Sequence, residues 1–262
     1  VTFADINNTR LYHETAGPQG SEPLVFIHGF SLDTRMWDDQ WDFFAQHYRV
    51  IRYDVRGFGK SSLPGTEPYA QVADLKALLE HLQAAPAHIA GLSMGGGIAI
   101  DFAAAYPELI RSLVAVDAAL GGFAWTSDLG APGRIARASG LEAGKAAWLN
   151  DALFAPAHEQ PAVSARLREM VTDYSGYHWL NRDPGRWADV EGIQRLDQIR
   201  ALSLAIVGER DLPDFHVIAD LLVEKIPNCR KVVLPGAGHL SNMEAPEQFN
   251  QLVLNFLKNQ LA

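Results

Sequence analysis

The sequence predicts an α/β fold, a mainly parallel sheet with helices on both faces. Short apolar runs alternate with segments of helical periodicity, as strands and crossover helices do. Most of the runs are uninterrupted rather than alternating, as expected of strands covered on both faces. The chemically suggestive residues lie just beyond the ends of these runs.

The elements follow in order. Thr2 to Asn7 and Arg10 to Thr15 read as an antiparallel hairpin at one edge, turning at Asn7-Asn8. Leu24 to Ile27 is a buried strand ending at His28-Gly29-Phe30, and Tyr48 to Tyr53 is the next strand. Val72, Leu75, Leu79 and Leu82 recur at helical spacing. His88 to Leu92 is a strand, and Ile98 to Tyr106 a helix stopped by Pro107. Leu113 to Val116 is a strand. The alternation resumes with a strand at Leu204 to Val207, a helix at Ile218 to Ile226 and a strand at Lys231 to Leu234. Phe249, Leu252, Val253, Phe256 and Leu257 mark a last amphipathic helix.

Between these halves lies a stretch without clear strands, rich in Ala, Gly and Arg. It carries four of the six tryptophans: Trp125, Trp148, Trp179 and Trp187. It leaves the sheet at a strand end, where open α/β sheets bind ligands, and so reads as a lid. The expected division is a core domain of residues 1–119 and 197–262 and a helical cap of residues 120–196.

Composition narrows the function classes. A chain of 262 residues that is 48% hydrophobic supplies a core that needs no disulfide or metal. The single cysteine, Cys229, excludes an intramolecular disulfide and suits a reducing, cytoplasmic setting. A net charge of −9 argues against nucleic acid and anionic membrane surfaces as partners. No apolar run reaches the roughly 20 residues of a membrane span. The expected partner is a small molecule, and the expected assembly a monomer or homodimer.

Gly91-Leu92-Ser93-Met94-Gly95 follows a strand and opens a helix. In that context G-x-S-x-G is a sharp turn that lifts a serine hydroxyl clear of the sheet at a helix N-terminus. Small residues are needed at Gly91 and Gly95 because a Cβ would collide with the adjoining elements. A serine nucleophile requires a base and an acid to orient it. His239, in the glycine-rich loop Pro235 to Leu240, is the candidate base, and Asp211, in Gly208-Glu209-Arg210-Asp211, the candidate acid. Asp117 and Asp214 are alternatives for the acid. The backbone N–H of Met94, the residue after the nucleophile, is one candidate oxyanion donor, and that of Phe30 the other. His28 reads as a residue that fixes its loop. Phe30, Met94, Trp125 and Leu240 are expected to line an apolar substrate pocket. Gly57-Phe58-Gly59-Lys60-Ser61 ends like a phosphate-binding loop, but Asp54 stands where its first glycine belongs. The nine histidines form no H-E-x-x-H pattern, and one cysteine excludes cysteine-rich zinc sites, so no metal is indicated.

These segments, taken together and in this order, resemble the α/β-hydrolase superfamily. The resemblance covers nearly the whole chain outside the insertion. It implies a sheet of about eight strands, a cap after the sixth strand and no cofactor. The segment Gly238-His239-Leu240-Ser241-Asn242-Met243-Glu244 is similar to the corresponding loop of 3-oxoadipate enol-lactonases and small carboxylesterases. Carbon–carbon bond hydrolases of the superfamily often carry Asn before the nucleophile and Trp after the histidine. Leu92 and Leu240 depart from that pattern. Ser93 departs from the Asp nucleophile of haloalkane dehalogenases. Cofactor-free perhydrolases share Phe and Met at the oxyanion positions, so Phe30 and Met94 leave that side activity open. Some members keep the triad yet act as small-molecule receptors. The reading is a serine hydrolase of small esters or lactones. A lactone bearing carboxylates would want cations in its pocket, and Arg134, Arg137, Arg182 and Arg186 lie in the cap.

Overall fold

A computed structural model describes residues 2–186 and 191–258. The chain opens with β1 (Thr2–Ile6) and β2 (Thr9–Ala16), paired antiparallel with Ile6 opposite Thr9. Asn7 and Asn8 take φ of 44° and 54°, the left-handed conformation of a two-residue hairpin turn. Next come β3 (Pro23–Ile27), α1 (Asp38–Ala45), β4 (Arg49–Tyr53), the two-residue β5 (Tyr69–Ala70), α2 (Gln71–His81), β6 (Ala87–Leu92), α3 (Met94–Ala105) and β7 (Ile110–Val116). Then follow α4 (Ala131–Ser139), α5 (Leu141–Leu149), α6 (Ala155–His158), α7 (Pro161–Asp173), α8 (Tyr177–Leu180) and the two-residue β8 (Gly185–Arg186). The chain continues through β9 (Leu202–Gly208), α9 (Pro213–Lys225), β10 (Cys229–Leu234), α10 (Ser241–Glu244) and α11 (Pro246–Leu257).

Eight strands form one sheet in the order β1-β2-β4-β3-β6-β7-β9-β10. β2 meets β4 antiparallel, and every pairing from β4 to β10 is parallel. β6 lies centrally and all six of its residues are buried, consistent with cover on both faces. The strand order reverses after β4, so the ends of β3 and β6 open beside one another at a switch point.

The described residues between β7 and β9 add no strand to this sheet. It departs from the strandless expectation at β8, which pairs parallel with β5. α1 was likewise not expected: its eight residues show three aromatics without a clear helical stripe. Trp187 lies outside the described residues. Charged groups tie the helical segment to the loops and helix beside the sheet. Arg35 donates to Glu169 at 2.7 Å and to Asp173 at 2.8 Å, both on α7, while also gripping Asp33. Arg166 pairs with Asp39, and Arg210 makes a two-pronged contact with Glu159 at 2.7 and 2.5 Å. Trp148 of α5 donates its indole N–H to Ser31 Oγ at 2.7 Å. Among the described residues, no helix is long and apolar enough to cross a membrane.

Candidate active site

β6 ends at Leu92 and α3 begins at Met94, leaving Ser93 alone at the turn with φ 55° and ψ −116°. That conformation is costly for a residue with a Cβ, and its surroundings hold it. Ser93 N–H donates to Val116 O at 2.9 Å, and Ser93 O accepts from both Gly97 at 3.0 Å and Ala119 at 2.9 Å. A Cβ on Gly91 would stand 2.1 Å from Gly95 O. One on Gly95 would stand 2.3 Å from Ile27 O and 2.6 Å from His28 O. These obstacles are main chain and cannot swing aside. Gly95→Ala is therefore expected to lose about 1–3 kcal/mol of stability or more. Gly65→Ala, where nothing lies within 4 Å, is expected to be near neutral, and urea unfolding of the two checks the contrast.

His239 and Asp211 come from the loops after β10 and β9. Gly208 lets those loops meet, since a Cβ there would stand 2.1 Å from Gly238 O. Arg210 N–H donates to Ala237 O at 2.8 Å across the same junction. His239 Nδ1 lies 2.9 Å from Asp211 Oδ2, and both side chains are buried. Asp211 Oδ1 accepts from Leu212 N–H at 2.7 Å. Burial raises Asp211 well above the usual carboxylate range, opposed by the Leu212 amide and the Asp117 side chain. Burial also lowers His239, to about 4, against the fields of Asp117, Glu244 and Asp151. Glu244 fixes the histidine loop by accepting from Gly238 N–H at 2.5 Å and Leu240 N–H at 3.0 Å. Phe215 packs on the imidazole with ring centroids 4.4 Å apart.

The other two acids are engaged elsewhere. Asp117 accepts from Gly208 N–H at 2.7 Å and from Ser241 Oγ–H at 2.5 Å. Its full burial, then the nearby Asp211, raise it well above the usual range. Asp214 accepts from Thr126 and Ser127 at the start of the helical segment. His28 accepts from Val55 N–H on Nε2 at 2.9 Å, which leaves Nδ1–H for Gly29 O at 2.8 Å. It thus pins the loop that carries Phe30. Among the described residues, neither the Phe30 N–H nor the Met94 N–H has an acceptor.

A cavity of about 470 Å³ opens beside Ser93, with mostly apolar walls. Phe30, Met94 and Trp125 line it, as their sequence positions predict. Leu240 does not. It is fully buried and joins Ser93 and His239 around a separate void of about 10 Å³, because the Glu244 clasp turns its loop inward. Phe58, Trp148, His178 and Trp179 complete an aromatic wall, with Phe58 stacked on His178 at 4.3 Å. Of the cap arginines, Arg137 reaches the cavity and donates to Trp179 O at 2.7 Å. Arg134 is exposed and pairs with Asp128, and Arg182 is exposed. The Arg186 side chain lies outside the described residues. Asp101 also lines the cavity, and sequence reasoning missed it. Its signal was present: it is the one charged residue in the apolar stretch Met94 to Ala105.

Residues 22–246 match the family model described as alpha/beta hydrolase fold. The dihydrolipoyllysine-residue acetyltransferase component of the acetoin cleaving system of Pseudomonas putida is 31% identical, over 97% of this chain and 68% of the relative. 3-Oxoadipate enol-lactonase 1 of Acinetobacter baylyi is 28% identical, over 93% of this chain and 91% of the relative. The crystal structure of the enol-lactonase from Burkholderia xenovorans LB400 superposes with a TM-score of 0.86 at 26% identity, covering 98% of this chain and all of that one.

Proposed function

Since the chain belongs to the alpha/beta hydrolase fold family, we propose that it cleaves small carboxylic esters or lactones, with Ser93 as nucleophile, His239 as base and Asp211 as the acid that orients it. The observation that carries this reading is the Asp211–His239 pair, 2.9 Å apart, with His239 on the small void that Ser93 also borders. The enol-lactonase relatives give the reaction class. The chain's core and cap divide at residues 119 and 197 in this reading, and the cap roofs the pocket.

Asp211 accepts from Nδ1–H and so fixes the tautomer in which Nε2 carries the lone pair. That nitrogen takes the Ser93 proton as Oγ attacks the carbonyl. The amides of Phe30 and Met94 receive the oxyanion, and α3 adds its positive end there. The imidazolium then protonates the departing alkoxide. Water, deprotonated by the same nitrogen, releases the acid from Ser93. No cofactor enters these steps.

Only neutral His239 can act as base. Because burial lowers its proton affinity, it stays neutral further into acid than a free imidazole. The kcat/KM for an uncharged ester should therefore be level from pH 8 to below pH 6. It should fall with a single proton only in the mid-acid range. An acid limb centred at 6.5 or higher would show that a solvated His239, or the raised carboxyl of Asp211, sets the profile instead. A fluorophosphonate probe tests the nucleophile directly: it should add one equivalent at Ser93 and none elsewhere. Steady turnover across an ester panel tests enzyme against receptor, since a receptor would stop after about one equivalent.

A further inference from the structure

Asp101 sits two helical turns into α3, 3% exposed, and lines the cavity. At 1.5 Å per residue, eight residues place it about 12 Å along the helix from Ser93. Among the described residues its carboxylate accepts no hydrogen bond, and the residue, otherwise buried, opens on the cavity. The nearby basic residue, Arg195, donates instead to Ala104 O at 2.7 Å and to Gln198. Among the described residues, the other charged groups that line the cavity have hydrogen-bond partners. Asp183 accepts from Gly185 N–H at 3.0 Å and Tyr69 O–H at 3.2 Å, with His178 Nε2 at 3.6 Å. Arg137 is exposed and bonded to Trp179 O. Burial raises Asp101 to about 6, with Arg195 opposing, so above neutral pH it is a carboxylate in poor surroundings. A carboxylate that opens only on a mostly apolar cavity is poorly solvated, and a cationic donor placed there returns part of that cost.

We propose that Asp101 is a specificity residue that receives an ammonium group carried by the substrate at the end remote from its ester or lactone carbonyl. The proposal rests on the Ser93 reading for where that carbonyl lies. It runs opposite to the carboxylate-bearing lactone considered from the arginine content of the cap. Such a ligand would bring a second negative charge toward Asp101, with Arg137 exposed and already bonded to Trp179 O.

Three methyl esters that differ only at the far end test it: methyl 8-aminooctanoate, methyl nonanoate and the monomethyl ester of nonanedioic acid. At pH 8 the wild-type kcat/KM should be about tenfold or more higher for the ammonium ester than for the neutral one, and lowest for the carboxylate. In Asp101→Asn the ammonium-to-neutral ratio should collapse to about one. A wild-type preference for the neutral or carboxylate ester overturns the proposal, as does a ratio that survives the substitution. The wild-type series needs no variant, so a misfolded Asp101→Asn would not shield it. Calorimetry separates this from the Ser93 reading. Octylammonium should bind Ser93→Ala at least tenfold more tightly than octanoate, and equal binding or none rejects the Asp101 role. Hydrolysis of the nonanoate ester by Ser93→Ala would reject the nucleophile instead.

Discussion

Ser93→Ala should lower kcat for an aryl ester by roughly 10⁴-fold or more, leaving KM within a few-fold. The loss is that large because, among the described residues, those that share the small void with Ser93 and His239 offer no replacement. The residues that share its void with it and His239 are Gly29, Phe30, Leu32, Leu92, Trp148, Phe154 and Leu240, none of which carries a nucleophile. Alanine fits the space of the serine, so the unfolding temperature should not fall. Fluorophosphonate labelling should vanish together with turnover. Wild-type rates in the alanine variant would refute the assignment, whatever the probe reports.

Asp211→Asn should cost about 10⁴-fold in kcat. An amide side chain offers His239 Nδ1 a donor as readily as an acceptor and favours the tautomer with the proton on Nε2. Asp214→Asn is the matched control. Asp214 holds the backbone of Thr126 and Ser127 and has no contact with the imidazole. Its loss should change kcat by less than about tenfold and act mainly on stability, typically by about 1 kcal/mol for a lost capping-type contact. Steady-state kinetics on both variants, with urea unfolding alongside, reads the difference. If the two variants fell equally in kcat, the acid would not be Asp211.

Much of this was legible in the sequence, and the reasons differ by element. Most of the parallel strands were readable because they are runs of apolar residues too short for a helix, such as Leu24 to Ile27 and Leu204 to Val207. The elbow was readable because its geometry demands glycines at fixed offsets around Ser93. The choice among Asp117, Asp211 and Asp214 was not settled by spacing. Asp117 and Asp211 stand just past strand ends and Asp214 in the first turn of α9, and only the 2.9 Å contact separates Asp211 from the others. Leu240 was misplaced because it shares the small void of Ser93 and His239 and not the larger cavity, and sequence adjacency says nothing of which space a looped side chain meets. The Glu244 contacts that turn the loop span four and six residues within one short segment. The arginines of the cap were equally illegible: whether a helix presents Arg134 or Arg137 to the cavity depends on how α4 packs against α8, a matter of tertiary contact. Asp101 was overlooked for the opposite reason. Its helix is so apolar that it reads as pure core, and a single carboxylate within it passes as an exception.

The backbone at Ser93 has a wider consequence. A φ of 55° with ψ −116° imposes a penalty on the order of 1–3 kcal/mol on any residue with a side chain, and glycine would escape it. The hydroxyl is thus retained at the position where the fold would gain by losing it. Selection for thermal robustness alone would draw this chain toward a glycine elbow and a silent protein. On the proposed nucleophile role, turnover is what keeps the serine, so a screen that stabilises this scaffold must score activity at every round.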